Sequence, residues 1–276
     1  MSYLVLKCGS AARGDTNTFS DQDYVCIYHA DALPLHLKSK YEDLSFFSTS
    51  NIESMKANGS LFIAHLDIEA QIIEGNEELL TLIKGFRPEP LLIQSSRNPT
   101  VNFIRSISWY PKTSDGVLWL MDVLYVAFRN ILYCENALNG IYSFGFEDAM
   151  SSYGLSCADS ETFRQIRMGK YAYRSENVKN LGFVGPRKEE IASLSEALSG
   201  KKLDLIEGGE TNWWSEWCYD YWDERLIERA TVNKEIYAPE FMEMLKNHNY
   251  SRRSLPGSSR KLVESARGIY AAKYNL

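Results

Sequence analysis

The sequence predicts an α+β chain, and three observations carry that prediction. Up to about residue 88, short apolar runs at residues 3–6, 24–28 and 41–47 are separated by Gly, Ser, Asp and Asn, the punctuation expected of brief strands. From residue 89 onward, the apolar residues recur mostly at helical spacing, above all between 117 and 139. The two regimes meet at Gly85-Phe86-Arg87-Pro88-Glu89-Pro90, where two prolines interrupt the pattern. The predicted organisation is therefore a strand-bearing core over 1–88, a mainly α-helical domain over 89–250, and a basic linker with a C-terminal tail over 251–276.

Residues 3–6 read as the first strand. They lead into Cys8-Gly9-Ser10-Ala11-Ala12-Arg13-Gly14-Asp15, a loop of small residues whose backbone N–H groups can hold a phosphate. A second strand opens with Ser20-Asp21-Gln22-Asp23 and continues through Tyr24-Val25-Cys26-Ile27-Tyr28. Alternation along a strand sends Asp21 and Asp23 to one face and Gln22 to the other. Two carboxylates so placed repel unless a cation lies between them, and magnesium takes oxygen ligands while bridging to phosphates. Asp21 and Asp23 are thus candidate metal ligands. Gly9 and Ser10 are candidate phosphate contacts, with Gly9 letting the backbone approach closely. Arg13 either meets phosphate, which suits a guanidinium, or caps the loop and pairs with Asp15.

Residues 41–47 read as a third strand carrying Asp43. His65-Leu66-Asp67-Ile68-Glu69 also holds two acids, but Leu61, Phe62, Leu66, Ile68, Ile72 and Ile73 fit a helix better than a strand. The combination of Gly-Ser, an Arg-Gly pair and Ser-Asp-x-Asp ahead of an apolar strand resembles the hallmark of the polymerase-β-like nucleotidyltransferase superfamily. The resemblance spans residues 3–86. It implies a small mixed sheet flanked by helices and a third acid on a neighbouring strand, as metal ligand or general base. That acid falls at Asp43, with Asp67 and Glu69 as competitors. It further implies Mg²⁺, or Mn²⁺ in its place, held by Asp21, Asp23 and Asp43, and a nucleoside triphosphate whose phosphates rest on Gly9 and Ser10. An acceptor hydroxyl then attacks the α-phosphorus and releases pyrophosphate.

Beyond residue 89, helices are predicted over 95–107, broken early by Pro99, and over 117–139, 146–153, 160–173 and 188–198, with a loop at 182–187. Arg164, Arg167, Lys170 and Arg174 recur at helical spacing between Phe163, Ile166, Tyr171 and Tyr173, so one face is basic and the other apolar. Lys170 is the leading nucleotide contact among them. Asn212-Trp213-Trp214-Ser215-Glu216-Trp217-Cys218-Tyr219-Asp220-Tyr221-Trp222 concentrates four tryptophans. Base stacking is one reading, but the helix-compatible spacing of Trp213 with Trp217 favours core packing. Residues 251–261 form a turn-rich basic linker. The tail beyond carries Tyr270 and Tyr274, and Gly268 lowers its helical preference.

A two-domain chain of this kind with a tyrosine near its end is similar to the nucleotidyltransferases of Hailong antiphage defence systems. That resemblance implies template-independent synthesis of single-stranded (deoxy)adenylate from dATP or ATP. It also implies a tyrosine hydroxyl as primer and a membrane effector protein as partner. The primer falls on Tyr274, with Tyr270 second. Two other function classes stay open. One is adenylylation of an aminoglycoside-like alcohol, with Glu135, Glu147 and Asp148 as an acidic wall. The other is a regulatory or toxin–antitoxin type module that binds or modifies another protein.

Composition bounds these readings. With 276 residues, a net charge of −6 and a pI near 5.4, the chain is not one that coats duplex nucleic acid through bulk electrostatics. Five cysteines without a Cys-x-x-Cys pair argue against a disulfide framework or a zinc site. The most apolar stretch, residues 118–138, carries Asp122, Arg129 and Glu135 and reads as a central helix rather than a membrane span. Strand-like sequence from Tyr3 leaves no N-terminal signal, and a cytoplasmic location is expected.

Overall fold

The computed structural model describes residues 3–14, 23–29, 33–41, 44–174, 185–208, 221–246 and 257–275. The chain is α+β. Strands β1 (Tyr3–Cys8), β2 (Asp23–Tyr28), β3 (Leu44–Ser48) and β4 (Gln71–Gly75) form one mixed sheet in the order β3-β2-β1-β4. β1 runs antiparallel to β2 and β4, while β2 runs parallel to β3. Two compact units divide the chain: Met1–Thr100 with Arg129–Leu155, and Val101–Phe128 with Ser156–Leu276.

In the first unit, β1 is central and Leu4, Val5 and Leu6 are fully buried. Strand alternation places Leu4 and Leu6 with Val25 and Ile27 on one face, against Ile52 of α2 (Thr49–Ala57) and Ile63 and Leu66 of α3 (Leu61–Glu69). A 3₁₀ turn, Glu77–Leu82, adds Leu79 to that face. Val5 and Cys26 point to the other face, against Leu37 and Tyr41 around the 3₁₀ turn Leu35–Ser39. The step from β3 into α2 is fixed by a capping box, in which the Ser48 hydroxyl accepts from the Asn51 N–H at 3.1 Å and Asn51 Oδ1 accepts from the Ser48 N–H at 3.1 Å.

Helices α4 (Pro90–Ser106) and α5 (Ser114–Leu138) follow, then α6 (Phe146–Tyr153), α7 (Cys157–Arg174), α8 (Lys188–Ser199), α9 (Tyr221–Val232), α10 (Pro239–Lys246) and α11 (Gly257–Tyr274). A short parallel pair, β5 (Trp109–Tyr110) with β6 (Ile206–Glu207), lies in the second unit. Within the first unit, Ile93, Cys134 and Ala137 form a small core of their own, and Asn136 Nδ2 donates to the Ala149 carbonyl at 2.9 Å. In the second unit, α9, α10 and α11 pack around Ile227, Ala230, Phe241, Val263, Ala266 and Tyr270.

Three expectations from the sequence need correction. Ile72 and Ile73 do not continue the α3 helix: it ends at Glu69, Ala70 is extended, and Gln71–Gly75 pairs with β1 as an edge strand. Cross-strand pairing and β-branched side chains win over a helical spacing that would have buried two residues left 42% exposed here. Pro99 does not break the helix it sits in. α4 runs on through it, and the ring deprives the Ser95 carbonyl of a donor while Ile93, Val101 and Ile104 stay buried. Gly268 does not keep the C-terminal tail from being helical. Residues 257–274 are helical, because Val263, Ala266 and Tyr270 bury one stripe and outweigh the roughly 1 kcal/mol disadvantage of Gly268 relative to alanine.

Among the described residues, one helix, α5, is long and apolar enough to cross a membrane, and 72% of its most apolar stretch is buried within the protein. Asp122 in that stretch is fully buried and ion-paired with Arg225, which also meets Glu228 at 3.0 Å, and the Tyr173 hydroxyl donates to Glu228. Arg225 lies over the Trp119 ring at 5.6 Å, and Arg229 lies 3.8 Å from the Trp109 ring centroid. These contacts identify α5 as a core helix whose charge is answered from α9.

Removing one member of a buried ion cluster strands the others in low dielectric. We expect Asp122→Ala to destabilise the protein by about 3–5 kcal/mol in urea unfolding followed by tryptophan fluorescence. Glu161→Ala, which removes the exposed 3.5 Å pair with Arg164, should change stability by less than about 1 kcal/mol.

Candidate functional site

β1 ends at Cys8, and the chain turns at Gly9 into the four-residue helix α1 (Ser10–Arg13). Gly9 has φ 68° and ψ −155°, a conformation that L side chains rarely adopt. The antiparallel register pairs Cys8 with Asp23, so the acid that opens β2 returns beside the turn that closes β1. A Cβ on Gly9 would lie 3.0 Å from Asp23 Oδ2. Glycine is therefore favoured by the backbone angle, and a Cβ there would crowd the carboxylate. The Ala12 and Arg13 amides donate to the Gly9 carbonyl at 3.0 and 3.2 Å, and Gly14 to that of Ser10 at 2.9 Å, which winds the turn tightly. Asp23 is exposed and Ser10 half-buried.

Behind the turn stands α3. Arg13 Nη1 donates to Glu69 Oε2, and His65 Nε2 meets the same oxygen at 2.8 Å. Gln71 Nε2 donates to the Ala12 carbonyl at 2.7 Å, tying α1 to the start of β4. Burial alone would raise the pKa of Glu69, but the hydrogen bonds and charges of His65 and Arg13 outweigh it and hold the carboxyl below its ordinary value. The Cys8 thiol is pushed up to about 12, first by burial and then by the charges of Asp23 and Glu69.

Two of the three predicted metal ligands, Asp21 and Asp43, lie outside the described residues. Among the described residues no group of three metal-ligating side chains gathers. The parallel register pairs Tyr24 with Leu44, and Asp23 and Asp43 are the residues immediately ahead of these two in sequence. Of the competitors for the third acid, Asp67 pairs with Arg87 at 2.7 Å and Glu69 is engaged as described. Arg13 pairs with Glu69, a partner that the sequence reading did not consider. Lys170 belongs to the second unit, where its ammonium lies over the rings of Tyr125 at 4.7 Å and Tyr171 at 5.2 Å. Arg167 Nε donates to the Tyr171 hydroxyl at 2.9 Å, and Arg164 meets Glu161. Tyr270 is only 2% exposed, within the core around α11, and Tyr274 is the last residue of that helix. Glu135 is ion-paired with Arg97. The tryptophan cluster at 213–217 lies outside the described residues.

Sequence reasoning missed His65 as a partner of the site, although its spacing of four from Glu69 on a helix was legible. It also missed Tyr133, Phe144 and Gly145, which tertiary packing brings to α3 and α1 and which no local pattern announces. No family model, no curated protein and no solved structure matches this chain.

The Glu69 contacts carry a pH signature. A carboxyl held below its ordinary value contributes stability that is complete above the unfolded-state pKa of about 4.3 and is lost as the pH falls through the folded value. The difference in unfolding free energy between wild type and Glu69→Gln should be full at pH 5 and should shrink progressively below about pH 4, read from urea titrations at each pH.

Proposed function

We propose that this chain is a metal-dependent nucleotidyltransferase acting on a nucleoside triphosphate. The observation that carries the reading is the meeting of the Gly9–Ser10 turn with the Asp23 carboxylate at the end of β1, in a conformation that only glycine accommodates well. A binding scaffold has no physical need for an acid pressed against a glycine turn, whereas phosphoryl chemistry needs backbone donors for phosphate beside carboxylates for a cation. The register supports Asp43 as the third acid, since the residue paired with the start of β3 directly follows Asp23.

The Asp23 carboxylate beside the Gly9 turn is of the oxygen chemistry that magnesium takes and supports this reading, with Asp21 and Asp43 near it in sequence. Asp21, Asp23 and Asp43 would hold it, and when bound it neutralises phosphate charge and polarises the α-phosphoryl group. The amides around Gly9 and Ser10 and the Arg13 guanidinium orient the triphosphate. The acceptor oxygen forms a bond to the α-phosphorus, the bond from that phosphorus to the bridging oxygen breaks, and pyrophosphate leaves as the acceptor loses its proton.

For the acceptor, the favoured reading is template-independent growth of single-stranded (deoxy)adenylate from dATP or ATP as a defence signal, primed on a tyrosine. Tyr274 is the better primer, because it is the last residue of α11 while Tyr270 is packed in the core. A cytoplasmic location and a membrane effector as partner belong to the same reading. Adenylylation of a small cationic alcohol is less favoured, since Glu135 of the suggested acidic wall is already ion-paired with Arg97.

Incubation of the purified protein with Mg²⁺ and each labelled NTP and dNTP, resolved by denaturing gel and intact mass, tests both levels. A product ladder from one nucleotide is expected. Asp23→Ala should reduce pyrophosphate release by about 10²–10⁴-fold, the scale of the several kcal/mol a bound cation contributes. Gly9→Ala should also lower it, because alanine is strained at φ 68° and its Cβ crowds the Asp23 carboxylate. Tyr274→Phe should abolish the protein-linked adduct. Absence of pyrophosphate with every nucleotide, alone and with small alcohols or candidate protein acceptors, would overturn the assignment.

A further inference from the structure

A chain of oriented contacts runs through the first unit to Arg13. The Tyr133 hydroxyl donates to the Phe144 carbonyl at 2.6 Å, and the Tyr133 ring stands edge-on to that of Phe144. Phe144 in turn lies against the His65 imidazole, with centroids 4.7 Å apart and planes 31° from parallel. Phe62 meets the imidazole from another side, edge-on at 6.3 Å. His65 Nε2 then hydrogen-bonds Glu69 Oε2, which also accepts from Arg13. The side chains of His65, Glu69 and Arg13 are 20%, 10% and 21% exposed. A Cβ on Gly145 would lie 3.6 Å from Arg13 Nε and 2.8 Å from Asp148 Oδ2, so the backbone at Gly145 passes close to the guanidinium.

We infer that His65 and Glu69 are positioning residues, which hold the Arg13 guanidinium beside the Gly9–Ser10 turn, preset for the phosphates of a nucleoside triphosphate. The inference rests on the nucleotidyltransferase reading and adds residues to it. Ser10 and Arg13 are three apart on α1 and therefore share a face of that turn. An ion pair that merely stapled α1 to α3 would need no ordered partner behind its carboxylate. Here the carboxylate meets an imidazole that itself packs against two rings. A guanidinium fixed in this way loses less rotamer freedom when it meets phosphate, and its planar fork suits that ligand.

Calorimetric titration of the full chain with magnesium-ATP and, separately, with tripolyphosphate tests the inference, with melting temperatures recorded for every variant. Arg13→Ala should weaken both probes by about 10–100-fold, and Glu69→Gln and His65→Gln by about tenfold, the scale of a charge-assisted hydrogen bond. Glu69→Asp should recover part of the loss. Glu69→Gln added to Arg13→Ala should cost nothing further, because both act through one contact. If Arg13→Ala weakens binding while Glu69→Gln lowers only the melting temperature, or tightens binding, the positioning role is overturned and the nucleotide reading stands. Wild-type affinity in Arg13→Ala overturns the positioning role in the same way. A wild-type protein that binds neither probe overturns both.

Discussion

The register between β1 and β2 is the constraint on which the rest of the site depends. β1 is buried on both faces, with Leu4 and Leu6 turned to one core and Val5 to the other. A slip of one residue would exchange those faces along the whole strand, so the apolar pattern locks the pairing. That locked pairing sets Cys8 opposite Asp23 and so delivers a carboxylate to the turn at Gly9. The position of the acid is thus enforced by hydrophobic burial several residues away, and the polar groups themselves need contribute little to holding it.

Charge is handled differently in the two units. In the second, Asp122, Arg225 and Glu228 are sealed from water and answer one another across α5 and α9, an arrangement that costs desolvation. In the first, the carboxylates near β1 stand at a partly open end of the sheet. Glu69 is held ionised by His65 and Arg13, and burial, with the charges of Asp23 and Glu69 added, keeps the Cys8 thiol protonated. A protonated thiol at that point is a poor nucleophile and a poor metal ligand.

Much of this was legible in the sequence because it is local. The strand openings at Tyr3 and near Asp23, the helix from Leu61, α6 over Phe146–Tyr153 and the glycine turn all follow from patterns within a dozen residues. What was not legible depends on partners remote in sequence. Ile72 and Ile73 fit a helical spacing and became a strand because β1 had an edge to fill. Pro99 reads as a break, and α4 continues through it. The C-terminal segment reads as a tail because Gly268 and the preceding linker argue locally against order, while the stripe of Val263, Ala266 and Tyr270 finds its partners on α9 and α10. The aromatic support of His65 by Phe144 joins residues nearly eighty positions apart, beyond any window in which periodicity speaks.

The parallel pairing of β2 with β3 sets the ends at which these two strands begin. β1 ends, and β2 begins, at one end of the sheet because they are antiparallel. An antiparallel β3, joined to β2 by a tight hairpin, would begin at the opposite end, and an acid preceding it would be a strand's length from Asp23. A parallel β3 begins at the same end, but it requires a crossover of about a dozen residues or more. The chain provides one over residues 29–43, where the 3₁₀ turn Leu35–Ser39 buries Leu37 against Val5 and Cys26. That connection is therefore more than a spacer. By burying Leu37 against the second face of the sheet, the 3₁₀ turn Leu35–Ser39 makes the burial of β1 and the common starting end of β2 and β3 parts of one topological choice.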